Sequence, residues 1–196
     1  GRKQWLLLLL IYPIGSALAY AILAPMLVDV GWSMERIGMV MNVLGSALSV
    51  SASLSTGWLL RHWSRFSVLI GTAIAQVVSL LALTLPLIGP PDDLRIHCAV
   101  GAYFLIQGAL SALMNTMMMD HASLTSPATD FTLQYSVYSL VMFIAAAGST
   151  ALAGYLGYLA VVMVACAFAC LALGLSLYFK RPVEEGIGHV ALGDVY

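Results

Sequence analysis

Six apolar runs, each about as long as a bilayer crossing, take up most of this chain and leave little else to build with. They lie at about 5–29, 36–60, 67–88, 96–119, 128–154 and 158–179. A spanning helix needs about 20 mostly apolar residues. Hydrocarbon offers the backbone no hydrogen bonds, so only helices and closed barrels cross it. The ten-residue alternation of a barrel strand is absent, which leaves helices. Charge agrees: 9% of residues are charged, against about 25% in a soluble domain. The expected fold is an all-α membrane protein with a six-helix transmembrane bundle over 1–182 and a loose cytoplasmic tail over 183–196.

The links set the orientation. Arg2, Lys3, Arg61, Arg65, Lys180 and Arg181 fall on one side; Arg36 and Arg95 fall on the other. Six against two places both termini in the cytoplasm. The chain opens Gly1-Arg2-Lys3 one step from a span, without a cleavable signal pattern, so the expectation is an excised half or fragment of something longer. Pro13 should kink the first helix. Gly89-Pro90-Pro91-Asp92-Asp93 should stop the third. In the link MMMDHASLTSPATDFTLQ, residues 117–134, Ser126 reads as an N-cap ahead of Pro127 at the first helical position. Asp130 then meets the positive end of the helix dipole.

Polar residues are spread unevenly over the spans. Tyr12, Ser16 and Tyr20 recur by fours in the first; Asn42, Ser46 and Ser49 lie along the second. The fourth carries Tyr103, Gln107, Ser111 and Asn115, again by fours, and the fifth carries Gln134, Tyr135, Tyr138 and Ser139. Intramembrane polar groups face a bundle interior or a water-filled cavity. Helices one, two, four and five are therefore expected to line a cavity, and three and six to face lipid. The competing reading is interhelical glue, at about 0.6 kcal/mol per hydrogen bond.

Several chemistries are poorly served. A net charge of −1 gives nucleic acid nothing to hold. Cys98, Cys166 and Cys170 all sit in apolar sequence and read as packing residues. Asp120, His121 and Asp130 are too few for a metal site. Every histidine lies at a helix end, in a link or in the tail, so no mid-span base exists for an intramembrane protease. The chain is expected not to be an enzyme and to carry no cofactor.

Small residues mark close contacts. Gly45, Ser49, Ser53 and Gly57 form one face of the second helix, and Ala145 to Ser149, then Ala153 and Gly157, run along the fifth. Such faces admit a neighbouring helix closely and point to a large helical partner, either a second half of the same parent chain or a second copy. STGWL at the end of the second helix is echoed by LAGYL at the end of the fifth, as a three-plus-three inverted repeat would produce.

The link Gly57-Trp58-Leu59-Leu60-Arg61-His62-Trp63-Ser64-Arg65 resembles the one after the second helix in the C-terminal half of a major facilitator superfamily transporter. It departs from the usual pattern at Arg61, where that family has Asp, and at Ser64, where it has a second Gly. The stretch ATDFTLQ, 128–134, is similar to the start of the eleventh helix of muropeptide permeases, of siderophore permeases of the rhizobactin and pyochelin type, and of acetyl-CoA transporters. Pro25 to Ser33, with Ile37-Gly38, resembles the link after the seventh helix in that group. The resemblance covers about 5–182, and MMMDHAS with the short tail leans to the siderophore branch. It implies half of a secondary transporter in the bacterial inner membrane, working by alternating access, with siderophore uptake as the activity. A muropeptide or other organic-solute permease, or a non-transporting assembly subunit, is the alternative. Substrate contacts are expected from Tyr12, Tyr20, Asn42, Gln107, Asn115, Gln134 and Tyr138. Gating or proton transfer is expected from Asp120, Asp130 and Arg61. The implied partners are the lipid bilayer, an N-terminal six-helix half or second copy, a small-molecule solute and protons.

Overall fold

The computed structural model describes residues 2–88 and 92–179. Among them all regular structure is helical, and five helices are long and apolar enough to cross a membrane: α1 (Lys3–Asp29), α2 (Met34–His62), α3 (Arg65–Ile88), α4 (Asp93–Asp120) and α5 (Pro127–Tyr178). Gly89, Pro90, Pro91, Lys180, Arg181 and the expected tail lie outside the described residues.

Proline and glycine account for the breaks. α1 is interrupted by a turn at Tyr12 and Pro13, as the missing Pro13 N–H requires. α5 is broken at Gly157, whose φ of 81° and ψ of 167° are non-helical and open only to a residue without Cβ. The chain reverses there. Before Gly157, α5 runs parallel to α1: Gln134 meets Trp5 and Ser149 meets Leu18, and directly past the break Tyr158 meets Asp29. After it, Ala165 and Ala169 return to Gly15, and Ala172 joins the cluster that holds Trp5 and Leu8. The fifth and sixth apolar runs of the sequence are the two arms of α5.

α2 packs chiefly on α4, also in parallel. Ser49 Oγ donates to the carbonyl of Phe104 and Ser53 Oγ to that of Gly108, both at 2.9 Å. A Cβ on Gly108 would lie 2.2 Å from the Ser49 carbonyl oxygen, so only glycine allows this approach. The Phe104 ring lies over Gly45. The face of Gly45, Ser49 and Ser53 thus closes inside the chain rather than on an external partner. Only Gly57, at its end, has nothing within reach. Spacing shows that a helix comes close, not which one.

The core runs along α1, whose most apolar stretch is the best buried; that of α2 is the least, at 17%. α3 divides by face. Ile74, Val78, Leu81 and Leu85 point outward while Gln76 and Ser79 are buried, so it is not the simple lipid-facing rod its composition predicts. Past Gly157, α5 buries Ala165, Cys166, Ala169, Ala172 and Ser176 and exposes Met163, Leu171 and Leu177.

Candidate functional site

The polar residues gather at two depths. At the first, near the α1 break, four tyrosines from three helices stand close together. Tyr12 is fully buried, and its hydroxyl meets the Leu69 carbonyl at 3.1 Å and Thr72 Oγ1 at 3.0 Å. Tyr103 is buried and donates to the Ser16 carbonyl at 2.7 Å. Tyr138 packs against the buried cluster that holds Tyr12. Tyr20 is 50% exposed and meets the Phe104 ring edge-on at 6.4 Å. Tyr138 is half-buried and stacks on Tyr135 at 6.4 Å. Two tyrosines therefore brace the helices, Tyr20 presents its ring outward, and Tyr138 packs half-buried against that cluster.

Gln107 lies one turn below Tyr103, half-buried, and its Oε1 is buried without a hydrogen-bond partner. Asn115 is half-buried two turns further on, with Ser111 exposed between them. Asn42 is exposed on the π-helical stretch Met39–Leu44. Such stretches are rare and concentrate at functional sites, and nothing in the residue spacing announces this one. Gln76 is the residue that the apolar reading of α3 passes over: it is 1% exposed, and both its Nε2 and Oε1 lack partners. It stands one turn from Thr72, which meets Tyr12, and one turn from Leu80, which packs by Gly15. Leaving such groups unpaired in a low-dielectric interior costs about 1–3 kcal/mol. A buried amide in an otherwise oily span is the signal that could have found it.

The second depth is the end that holds the N terminus. Here Gln134 accepts from Trp5 Nε1 at 2.6 Å and donates to the carbonyls of Met118 and Asp130. It is 9% exposed and ties α1, α4 and α5. The Trp5 ring stacks on His121 at 4.2 Å. Asp120 accepts from Arg65 Nε at 3.0 Å, while Arg65 Nη1 donates to the Leu60 carbonyl at 2.8 Å, so one guanidinium joins the ends of α2, α3 and α4. Asp130 accepts from the Ser123 amide at 3.0 Å. Pro127 takes the first-turn position as expected, but Ser126 does not cap with its side chain; its hydroxyl pairs with Ser123 Oγ. Arg61 is exposed in the last turn of α2. Of the residues expected to gate, Asp120 and Asp130 hold this link in shape, and Arg61 stands at the surface.

Among the described residues, no group of three His, Cys, Asp or Glu could hold a metal ion. No protein-family model matches the sequence.

Proposed function

We propose that this chain is one half of a secondary transporter of the major facilitator type, with helices in a three-plus-three inverted repeat, and that it moves an organic solute by alternating access. The observation that carries this reading is the pairing of the helices. α1 lies parallel to the first arm of α5, and α4 lies parallel to α2. An operation that carries α1 onto α4 and α5 onto α2 exchanges the two pairs, as an inverted repeat requires. With the reversal at Gly157 the chain makes six passes, which leaves both termini on one side, the cytoplasmic side by the Lys and Arg bias.

The wall for the solute is the exposed Tyr20 and Asn42 with the half-buried Gln107, Asn115 and Tyr138, with the second half or a second copy closing the other side. Rings for stacking and amides for hydrogen bonds suit a ring-bearing, oxygen-rich solute, and a siderophore has that chemistry. Arg65 and Asp120 keep the cytoplasmic ends of α2, α3 and α4 moving as one body when the halves rock.

Uptake of labelled ferric siderophore by the full-length parent tests the reading. Gln107→Leu and Asn42→Leu are expected to lower uptake about tenfold or more without changing the amount of protein in the membrane. Unchanged uptake in both removes this wall from the route. Uptake of muropeptide in place of siderophore reassigns the solute and keeps the route. No uptake of either by the unaltered parent favours an assembly subunit.

A further inference from the structure

α2 changes its winding over the π-helical stretch Met39–Leu44, where the amide of Gly45 donates to the carbonyl of Val40, five residues back. The packing explains the extra residue. Trp32, Ile37 and Val40 are buried in one cluster with Phe104, and Gly45 lies under the Phe104 ring. At about 100° per residue, an α-helix would turn Gly45 about 140° away from Val40. A wider turn takes up one residue and brings both to the same side. The stretch therefore joins two α-helical segments that an unbroken α-helix could not seat together.

The two segments are held differently. Past the stretch, Ser49 and Ser53 bond to α4, and Gly108 leaves no room between the helices. Before it, Met34–Gly38 is held by Ile37 in the core and by ties open to water: Arg36 to Asp93 at 2.9 Å and Arg36 over the Trp32 ring at 3.9 Å. If the stretch returns to α-helical pairing while the far side stays fixed, the near segment advances one step along its own screw, about 100° and 1.5 Å. Gly38 then takes the place of Ile37, Ile37 takes the place of Arg36, and Arg36 leaves Asp93. The link ahead can follow, because Gly31 stands at φ 94° with nothing within 4 Å of its Cβ position. Asn42 rides on the stretch and lies against Gly38, its Nδ2 3.9 Å from where a Cβ would be. Register shifts of helices occur in microseconds to milliseconds.

We infer that the π turn of α2 is a register switch: its return to α-helix draws Ile37 out of the core, opens the Arg36–Asp93 tie and frees α2 from α4 at the end opposite the N terminus. The switch belongs to this chain and stands whatever the protein transports. Labelling of Ile37→Cys by a water-soluble maleimide reads it, in the 196-residue chain held in lipid nanodiscs, with Cys98, Cys166 and Cys170 replaced by alanine. Met34→Cys is the control, since Met34 and the place of Ser33 that it would take are both exposed. Deletion of Val43, an exposed residue of the stretch, leaves an unbroken α-helix with both flanks in their present register. It should slow labelling of Ile37→Cys at least tenfold. Gly38→Leu acts the other way, by bringing an apolar side chain to the slot that Ile37 vacates. A Cβ on Gly38 meets only the Asn42 amide nitrogen, so this variant folds in the present register too, and it decides the matter if the shortened chain fails to fold. It should speed labelling of Ile37→Cys about threefold or more, and neither change should alter Met34→Cys. Equal rates at Ile37→Cys with and without Val43 overturn the switch, as does a Gly38→Leu rate no faster than that of the unaltered turn. Faster labelling in a folded chain without Val43 would mean that the turn only seats Ile37, and overturns it as well.

Discussion

The two ends of this bundle are held by the same kinds of contact in different surroundings. At the end with the N terminus, the Arg65–Asp120 pair has side chains 26% and 24% exposed, and Trp5 and Gln134 are 4% and 9% exposed. At the opposite end, Arg36 pairs with Asp93 at 2.9 Å with side chains 38% and 64% exposed. Arg36 also lies 3.9 Å above the Trp32 ring, Trp32 leans on His97, and Tyr158 donates to Asp29 at 2.7 Å. Exposed ion pairs contribute little and are screened by salt. A buried polar network contributes through the cost of breaking it. One end is a fixed joint and the other a set of loose ties.

Removing the centre of the fixed joint should have the largest effect. Trp5→Ala loses the stack on His121 and strands Gln134, and the expected cost is about 3–5 kcal/mol of stability. Trp5→Phe keeps a ring over His121 and loses only the donor to Gln134, at about 1–3 kcal/mol. Unfolding in mixed micelles of rising denaturing-detergent content measures both. If Trp5→Ala costs no more than Trp5→Phe, the joint is held by the hydrogen bond and not by packing.

Asp120→Ala comes next. It leaves the Arg65 guanidinium part-buried with only the Leu60 carbonyl, and about 1–3 kcal/mol should be lost. The double variant Arg65→Leu with Asp120→Leu should recover most of that loss, because replacing both partners leaves no stranded charge. A double variant less stable than Asp120→Ala would show that Arg65 matters for Leu60 more than for Asp120.

This contrast was only partly available in the residues themselves. The apolar runs announce the helices because hydropathy is local and additive along the chain. Pro13 and Gly157 announce the breaks because each acts through its own backbone. Arg65 and Asp120 are 55 positions apart, and no local pattern joins them. Gln134 stood out as a polar residue near a helix start, but its hydrogen bonds to Trp5 and Met118 depend on α5 lying along α1 and against α4. The small-residue face of α2 was legible as a close contact, while its partner α4 was not, since Gly45, Ser49 and Ser53 look the same from either helix. The burial of Gln76 is not legible for a similar reason: averaging over α3 hides the one face that turns inward.

At the loose end the expected effects are small, and their dependence on conditions is the informative part. Asp93→Asn should leave the unfolding midpoint unmoved in 0.5 M salt and lower it only slightly at low ionic strength, since the pair it breaks is open to solvent. A salt-independent loss would mean that Arg36, Trp32 and His97 act with Asp93 as one network, and the two ends would then differ less than their exposure suggests.

The smallest effect is expected from Tyr158→Phe. Tyr158 follows the reversal at Gly157 directly, and its hydroxyl reaches the Asp29 carboxylate at the end of α1. A hydrogen bond to a carboxylate contributes well over 1 kcal/mol when shielded, but water reaches this one, so the expected loss is below about 1 kcal/mol. Amide exchange gives the sharper readout. With the tie removed, the backbone around Gly157 should exchange faster while that around Gln134, on the same helix, is unchanged. Faster exchange at both places would mean that the arm of α5 before Gly157 transmits the disturbance along its whole length, and the two ends would then be one mechanical unit.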